Sequence, residues 1–395
     1  MKFLLNFNVK KEIYTMESID SVDSKTIYTI EGTPIPWLAK NAYNHLDKTT
    51  LIFGGTGSGK TTVIEEILFL LKDHIPNYLV IAPKTSDAAY RKKLPSRCIK
   101  EDFTKVLLQK LWERQFQLTE IYNVANDMKI LEELFKIAPS RDSIVILEIL
   151  KRKAKDAIRT IEMSSNFDFG QKKTQKASVE ELLMKKTKAT YRDAIRNNKS
   201  IIERTASLTP QQKIALDYLD LNPRLCLIID DCSEKFQVWM KFFKKSEVNP
   251  FESIFYKNRW NYLTLVFAAH DDKLINTELR KNSRITIYTN SQALVTSINR
   301  TGNGFTTKEK KEAMSCASKI FGEEEKGVKT HQKFCYVRED AHPFKYLIAS
   351  LYADFTLGCE PLRTLVAKMP KKEDNLAANS FVKDMFKKEG DKFTF

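Results

Sequence analysis

The sequence has no long apolar run. Charged residues make up 29% of the 395 residues and interrupt every apolar stretch well short of the roughly 20 residues that a membrane-spanning helix needs. We therefore expect no membrane span. The hydrophobic fraction of 42% is typical of a chain that folds around a core, and the length suggests about two or three domains or one elaborated domain.

Cysteine is sparse, and its spacing excludes two classes of site. The six cysteines lie far apart without a C-x-x-C pair: Cys98, Cys226, Cys232, Cys316, Cys335 and Cys359. This spacing argues against a disulfide framework and against a zinc site. We expect reduced, cytosolic thiols.

Acidic residues are too few to balance the basic ones. The chain has 65 Lys and Arg against 50 Asp and Glu, and residues 151–200 alone contain 14 basic against 6 acidic side chains. This excess favours a polyanionic partner. Helix faces at 151–155 and 185–199 would suit contact with the phosphates of double-stranded DNA, whereas the sparse aromatic residues there give little support to stacking on single strands. The alternative is a solvated, charged surface.

Glycine is scarce, with 12 in the whole chain, yet four of them fall between positions 54 and 59. Residues 54–61 read GGTGSGKT, which fits the phosphate-binding pattern G-x-x-x-x-G-K-[ST] between a strand pattern and a helical pattern. Glycines let backbone N–H groups turn toward phosphate oxygens, and the helix N-terminus adds its dipole. We therefore predict ATP binding by Gly54, Gly55, Thr56, Gly57, Ser58, Gly59, Lys60, Thr61 and Thr62.

A second motif supplies the acids that such a loop needs. Lys60 is expected to reach the β- and γ-phosphates, and the Thr61 hydroxyl is expected to bind Mg²⁺. The apolar run at 225–229 ends in Asp230, predicted to hold the metal through water, and Asp231, placed to polarise the attacking water. Two adjacent acids distinguish hydrolytic motors from simple kinases. The alternative is a pair of acids that only end a strand.

The apolar run at 263–269 ends at His270. In motor ATPases, a polar side chain at the end of the strand between the two motif strands senses the γ-phosphate, and His270 is the candidate here; the alternative is a structural histidine. Arg259, Arg280 and Arg284 lie shortly before or after this strand and are candidates for an arginine finger that acts on a neighbouring subunit. For each of them the alternative is a solvated surface arginine.

Apolar strand patterns alternate with helical ones along most of the chain. This alternation predicts an α/β fold with a mostly parallel sheet flanked by helices, and a late β-hairpin at 333–352. We divide the chain into an N-terminal β-rich segment, a core in two parts, a Lys-rich helical insertion whose middle, at 164–178, is expected to be flexible, and a charged C-terminal tail. The N-terminal segment is 1–45, the core is 46–140 with 216–365, the insertion is 141–215, and the tail is 366–395.

The motifs together resemble the genome-packaging ATPases of nucleocytoplasmic large DNA viruses, the poxvirus-type branch of the FtsK–HerA superfamily. The resemblance covers about 45–90 and 220–300, and the stretch NRWNYLT before the third apolar strand narrows it beyond the generic motifs. Two residues depart from the family pattern. Trp260 stands where members have His, and His270 stands where members have Gln.

The resemblance implies an ASCE or RecA-like P-loop fold and Mg²⁺-dependent ATP hydrolysis that drives double-stranded DNA into a capsid. It also implies a homo-oligomeric ring, a pentamer or hexamer, with nucleotide sites at subunit interfaces. Capsid or membrane-associated virion proteins would be partners, and the protein would be found in the virion and at assembly sites in the host cytoplasm. The Lys-rich insertion has no counterpart in the resemblance.

Four other function classes share some of these features. A helicase or a DNA-transfer ATPase would carry the same motifs, and strand separation on a forked duplex would distinguish a helicase. A scaffold that kept the nucleotide fold without hydrolysis is disfavoured by the intact Lys60, Thr61, Asp230 and Asp231. A small-molecule kinase is disfavoured by the second adjacent acid, and no L-S-G-G-Q signature of an ABC-type ATPase occurs.

Overall fold

A computed structural model describes most of the chain. The described residues are 27–29, 32–165, 167–205, 207–243, 247–322, 327, 331–352, 354–361 and 363–364. Most of the N-terminal β-rich segment and all of the charged tail predicted at 366–395 lie outside them. Of that N-terminal segment the structure describes a two-stranded antiparallel sheet of β1 (Ile27–Tyr28) and β2 (Pro34–Ile35).

A second sheet has eight strands. They are β3 (Thr49–Phe53), β4 (Asn77–Ile81), β5 (Ile99–Lys100), β6 (Leu225–Asp230), β7 (Leu263–Ala269), β8 (Ile285–Tyr288), β9 (Gln332–Val337) and β10 (Phe344–Ile348). Their order across the sheet is β10-β9-β8-β3-β7-β6-β4-β5. β3 to β8 pair in parallel, and β9 and β10 join the β8 edge as an antiparallel hairpin. The mostly parallel sheet and the late hairpin are confirmed.

Helices connect the strands. Within the described residues they are α1 (Lys60–Leu71), α2 (Ala88–Arg91), α3 (Lys105–Ala125), α4 (Met128–Ile137), α5 (Arg141–Met163), α6 (Phe169–Asn197), α7 (Lys199–Thr205), α8 (Pro210–Asp217), α9 (Ser233–Met240), α10 (Pro250–Lys257), α11 (Thr277–Lys281), α12 (Ser291–Asn299) and α13 (Thr307–Ile320). Residues 105–137 form two helices and not one, because Asp127 caps α4 by accepting from the N–H groups of Lys129 and Ile130.

Helices cover both faces of the large sheet. Leu51 and Phe53 lie in one apolar core with side chains of α9, α10, α12 and α13, whereas Ile52 between them lies in a second core with side chains of α1. Successive residues of a strand point to opposite faces, so a strand buried on both sides has no polar alternation. This double burial explains the continuous apolar runs in the sequence, and the predicted α/β class with flanking helices is confirmed.

The chain divides into two compact units. Among the described residues, one unit comprises 117–222 and the other comprises 27–116 with 223–364. The first is helical, and the insertion predicted at 141–215 lies within it. Leu131, Leu134, Ile195, Ile202 and Ala215 are fully buried in its main core, and a smaller core joins α5 to α6. The second unit contains both sheets and every predicted nucleotide-site residue.

The segment at 164–178 differs from its expected flexible state. α6 begins at Phe169, and Asp168 and Gln171 form a reciprocal capping box at its start. Val179 then buries its side chain against α5. From Phe169 onward this segment is therefore a helix, and its polar composition is that of an exposed helix face.

Over the described part of the chain, none of the helices is both long enough and apolar enough to span a bilayer.

Candidate nucleotide-binding site

The glycine-rich loop joins β3 to α1. Gly57 and Gly59 have φ values of +73° and +91°, a left-handed conformation that glycine adopts without steric cost. Gly54 is packed closely, because a Cβ at this position would lie 1.8 Å from Thr289 Oγ1. Since the N-cap of α1 is Gly59, which has no side chain, the first N–H groups of the helix are left for an anion.

Lys60 folds back over this loop. Its Nζ donates to the carbonyl oxygens of Gly54, at 2.9 Å, and Gly55, at 3.0 Å. Burial lowers the pKa of the Lys60 ammonium, and the carboxylates of Asp231 and Asp230 oppose this effect. Lys60 is thus a cation held at the mouth of the loop with two acids nearby.

The two acids at the end of β6 have different surroundings. Asp230 is only 2% exposed, and one of its carboxylate oxygens accepts a 2.7 Å hydrogen bond from the Tyr90 hydroxyl. Burial raises the pKa of Asp230, while the hydrogen bond from Tyr90 lowers it. Asp231 follows with φ of +56°, an uncommon value for a residue other than glycine, and its side chain is more exposed. Uncommon backbone conformations of this kind occur often at functional sites.

His270 connects the second acid to the lysine. Its Nε2 lies 2.7 Å from Asp231 Oδ1, and its Nδ1 lies 3.5 Å from Lys60 Nζ. An imidazole protonated on Nε2 alone would donate to the carboxylate and accept from the ammonium. β7, which His270 follows, pairs with β3 on one side and β6 on the other. The structure therefore brings Lys60, Asp231 and His270 together at one edge of the sheet.

The carboxyl edge of the sheet has a few protein oxygens that could hold a magnesium ion. Thr61 lies in the first turn of α1, and Asp230 ends β6, at the carboxyl edge of the same sheet. Within the described ranges, no three His, Cys, Asp or Glu side chains gather as a metal site. Mg²⁺ is commonly held by one or two protein oxygens together with substrate phosphates and water. The donor set of a hydroxyl and one buried carboxylate fits that pattern.

The three candidate arginines lie in different surroundings. Arg259 is exposed just before β7, next to Trp260, which is 77% exposed. Arg284 directly precedes β8, and its guanidinium donates to the Arg338 carbonyl oxygen. Both arginines lie at the amino ends of the parallel strands and therefore at the edge opposite the glycine-rich loop. Either could reach a nucleotide only in another copy of the chain.

Arg280 is buried against its own chain. Its guanidinium donates to the Ile275 carbonyl oxygen at 2.5 Å, to Thr277 Oγ1 at 3.0 Å and to Asn303 Oδ1 at 2.9 Å. These bonds secure the turn that follows His270. An arginine finger must extend toward a neighbouring subunit, so Arg259 fits that role better than Arg280.

The sequence analysis did not predict three contacts at this site. Tyr90 on α2 bonds Asp230, Thr289 Oγ1 lies 2.5 Å from Ser58 Oγ, and Lys333 on β9 packs against Gly59. Tyr90 and Thr289 give no sequence signal, because their approach depends on the folded connections. Lys333 did give one, since it is a lysine at the start of a strand pattern that is otherwise apolar and aromatic.

The chain is similar to a viral protein over most of its length. The chain is 28% identical over 362 residues to uncharacterized protein B354L of African swine fever virus (isolate Pig/Kenya/KEN-50/1950), covering 87% of this chain and 94% of that protein. No protein-family model matches the chain.

Solved structures give more distant likenesses. The cytoplasmic domain of the type VII secretion ATPase EccC of Thermomonospora curvata is 12% identical with a TM-score of 0.32; the match covers 87% of this chain but 30% of that one. The genome packaging NTPase B204 of Sulfolobus turreted icosahedral virus 2, in complex with AMPPCP, is 12% identical with a TM-score of 0.30, covering 77% of this chain and 99% of that one.

Proposed function

We propose that the chain is a Mg²⁺-dependent ATPase. The observation that carries this proposal is the convergence of Lys60, Asp231 and His270 on the glycine-rich loop, at distances of 2.7 and 3.5 Å between their side chains. Lys60, Asp231 and His270 follow three neighbouring strands, β3, β6 and β7, and lie far apart in the sequence. A loop with only a structural role would not need an ammonium, a carboxylate and an imidazole at its mouth.

Each residue has a distinct role in the proposed reaction. The loop N–H groups and Lys60 bind the phosphates, and Asp231 accepts a hydrogen bond from the attacking water and aligns it. His270, between Lys60 and Asp231, exchanges its present contacts for one to the γ-phosphate or the water. Thr61 and Asp230 would hold Mg²⁺, which would neutralise phosphate charge when bound.

We further propose that hydrolysis drives translocation of double-stranded DNA into a capsid during virion assembly. The motif resemblance supports this proposal, and the relative in African swine fever virus is consistent with a viral setting. On this proposal the protein acts as a ring of five or six copies, with Arg259 as the finger toward the next subunit. Its partners are capsid or membrane-associated virion proteins, in the virion and at assembly sites in the host cytoplasm.

The surface of the helical unit supports a DNA partner. The basic residues of 151–200 include some that are paired with acids and some that are exposed without an ion pair. At the end of α6, Arg196 pairs with Asp193 and Asp220 at 2.6 and 2.5 Å. On α5, Lys151, Arg152 and Lys155 are exposed, and none of the three forms an ion pair within the described chain. These three neighbouring cations, here called the α5 basic cluster, are available for phosphate contact.

A DNA-transfer ATPase or a helicase is the second candidate, because it would use the same site. A scaffold without hydrolysis is disfavoured by the same convergence of side chains. A packaging motor should be stimulated by duplex without separating its strands, whereas a helicase should release a strand from a forked duplex. A small-molecule kinase would ignore DNA.

The first experiment measures steady-state ATP hydrolysis with and without linear duplex DNA. Lys60→Ala is the blank, and circular dichroism checks that it folds, because Lys60 is buried and its ammonium bonds the carbonyl oxygens of Gly54 and Gly55. Stimulation of the wild type by duplex supports a DNA-coupled motor. Turnover retained by Lys60→Ala would exclude the loop as the ATP site, and turnover indifferent to DNA would exclude the coupling.

A further inference from the structure

Lys333 is a buried lysine beside the glycine-rich loop. It is the second residue of β9, and only 5% of its surface is exposed. A Cβ placed on Gly59 would lie 3.6 Å from Lys333 Cε and 3.8 Å from its Nζ. Lysine is rarely buried to this extent in proteins. The end of the Lys333 side chain therefore lies within van der Waals distance of the loop at Gly59.

The lysine is held by the same residue that supports the loop. Lys333 Nζ donates to the Thr289 carbonyl oxygen at 3.3 Å. Thr289 in turn donates its N–H to the Phe53 carbonyl oxygen at 2.9 Å, and its hydroxyl lies 2.5 Å from Ser58 Oγ. The position of the ammonium is thus fixed relative to the loop backbone.

The strand order places the two lysines on different sides of the loop. Lys60 reaches toward His270, which follows β7, whereas Lys333 comes from β9, which lies beyond β8 on the other side of β3. A γ-phosphate must face Asp231 and His270 if those residues act on it. The α- and β-phosphates then lie away from them, toward the side that Lys333 occupies.

We propose that Lys333 is a second cationic ligand of the nucleotide, which binds its α- and β-phosphates. The proposal rests on the proposed nucleotide site and adds a residue to it from the antiparallel hairpin. The ammonium contributes a compact point charge in a place from which water is largely excluded, where its attraction to phosphate is weakly screened. ADP and pyrophosphate contain a diphosphate group like that of ATP, so Lys333 should contribute as much to their affinity as to that of ATP.

The expected signature is a loss of affinity with little loss of turnover at saturation. An interaction that is equal in the ground state and the transition state changes KM and leaves kcat nearly unchanged. We expect Lys333→Gln to weaken ADP and pyrophosphate binding by about tenfold, which corresponds to about 1.4 kcal/mol, the lower range for a hydrogen bond to a charged group. The glutamine amide can still donate to the Thr289 carbonyl oxygen, so this variant removes the charge and keeps a donor.

The test is isothermal titration calorimetry of the full chain with Mg²⁺-ADP and with inorganic pyrophosphate. Lys333→Arg retains the charge and should keep affinity within about threefold, a difference of about 0.65 kcal/mol. Lys345→Gln is the matched control, because Lys345 lies on the neighbouring strand β10 and pairs with Asp340 at 3.0 Å. It should bind as the wild type does. Circular dichroism of each variant reports on folding.

The outcomes separate this inference from the proposed function. Weaker binding by Lys333→Gln alone supports the inference, and it does so even if the wild type proves unable to hydrolyse ATP, which would overturn only the ATPase. Equal binding by Lys333→Gln and wild type overturns the inference and leaves the ATPase standing. A wild type that binds neither ligand overturns both. If Lys333→Gln fails to fold, Lys333→Arg decides the test. Affinity within about threefold of the wild type supports a role for the charge of Lys333, and a loss of more than about tenfold contradicts it.

Discussion

At the scale of single residues, Asp231 is where geometry and chemistry agree best. Its backbone has φ of +56°, and its carboxylate is 2.7 Å from His270 Nε2. Asp230, next to it, is buried and bonded to Tyr90, so the two neighbouring acids cannot exchange roles. The exposed acid is the one that can meet a water molecule, and the buried acid is the one that can hold a metal in a fixed place.

We predict that Asp231→Asn retains ATP binding and slows hydrolysis by roughly 10²- to 10⁴-fold, the usual contribution of a positioned acid–base group. An amide keeps the size of the side chain and loses the charge that polarises water. Single-turnover hydrolysis and nucleotide titration measure the two effects separately. Glu234→Gln, at an exposed acid three residues later, is the control. Hydrolysis by Asp231→Asn at the rate of this control would remove Asp231 from the reaction.

His45 is a second residue with a measurable consequence, in this case for stability. Its ring is buried, with Nδ1 2.9 Å from Thr50 Oγ1, and burial lowers its pKa to about 3. The folded chain then keeps His45 neutral, whereas the unfolded chain protonates it below about pH 6.5. The contribution to stability is complete above pH 6.5 and is lost as the pH falls from there toward 3.

We predict that this loss reaches about 1.4 kcal/mol per pH unit between pH 6 and 4, over and above the effect of other groups. His45→Asn has no titrating ring, so its free energy of unfolding should fall less steeply over that range. Urea unfolding at several pH values gives both slopes. His342→Asn, at an exposed histidine, should keep the slope of the wild type. Parallel slopes for wild type and His45→Asn would contradict the buried neutral ring.

At the scale of elements, the sequence predicted those parts of the fold whose signal is local. Strands buried on both faces give continuous apolar runs, and the loop from Gly54 to Thr61 has a fixed pattern. At the start of α6, the polar composition suggested a flexible segment, whereas the residues form an exposed helix. The approach of Lys333 and Tyr90 to the site could not be derived, because it depends on how β9 and α2 pack against distant parts of the chain.

The loop itself offers a prediction at this scale. In Gly54→Ala the new Cβ would lie 1.8 Å from Thr289 Oγ1 and 2.6 Å from Ser58 Oγ, so the loop must shift. Overpacking costs about 1 to 3 kcal/mol, or about 5- to 150-fold in nucleotide affinity if the loop must return to its position for binding. In Gly55→Ala the nearest atom is Asn290 Nδ2 at 3.5 Å, an ordinary contact. Calorimetric titration with ADP should show the larger loss for Gly54→Ala, and the reverse order would contradict this packing.

At the scale of the whole molecule, only some of the cations behind the net charge of +15 are available to bind DNA. Some cations of the helical unit stabilise that unit, as Lys199 does by lying 3.8 Å from both Glu203 and Asp217. Such pairs are partly neutralised and would gain little from a phosphate. Net charge alone therefore overstates the surface that can bind DNA, and the α5 basic cluster is the part that can be tested.

Replacement of Lys151, Arg152 and Lys155 by Gln should weaken duplex binding and lower the slope of log K against log salt concentration by up to about 3, since each phosphate contact contributes about 0.9. The slope is measured by fluorescence anisotropy with a labelled duplex at several salt concentrations. The matched control replaces Arg196 and Lys199 by Gln, which removes paired cations from the same unit. Equal slopes for the cluster variant and the wild type would assign these lysines and the arginine to a solvated surface. A loss confined to the cluster variant, with ATP turnover in the absence of DNA unchanged, would place the DNA contact on the helical unit and the chemistry on the sheet.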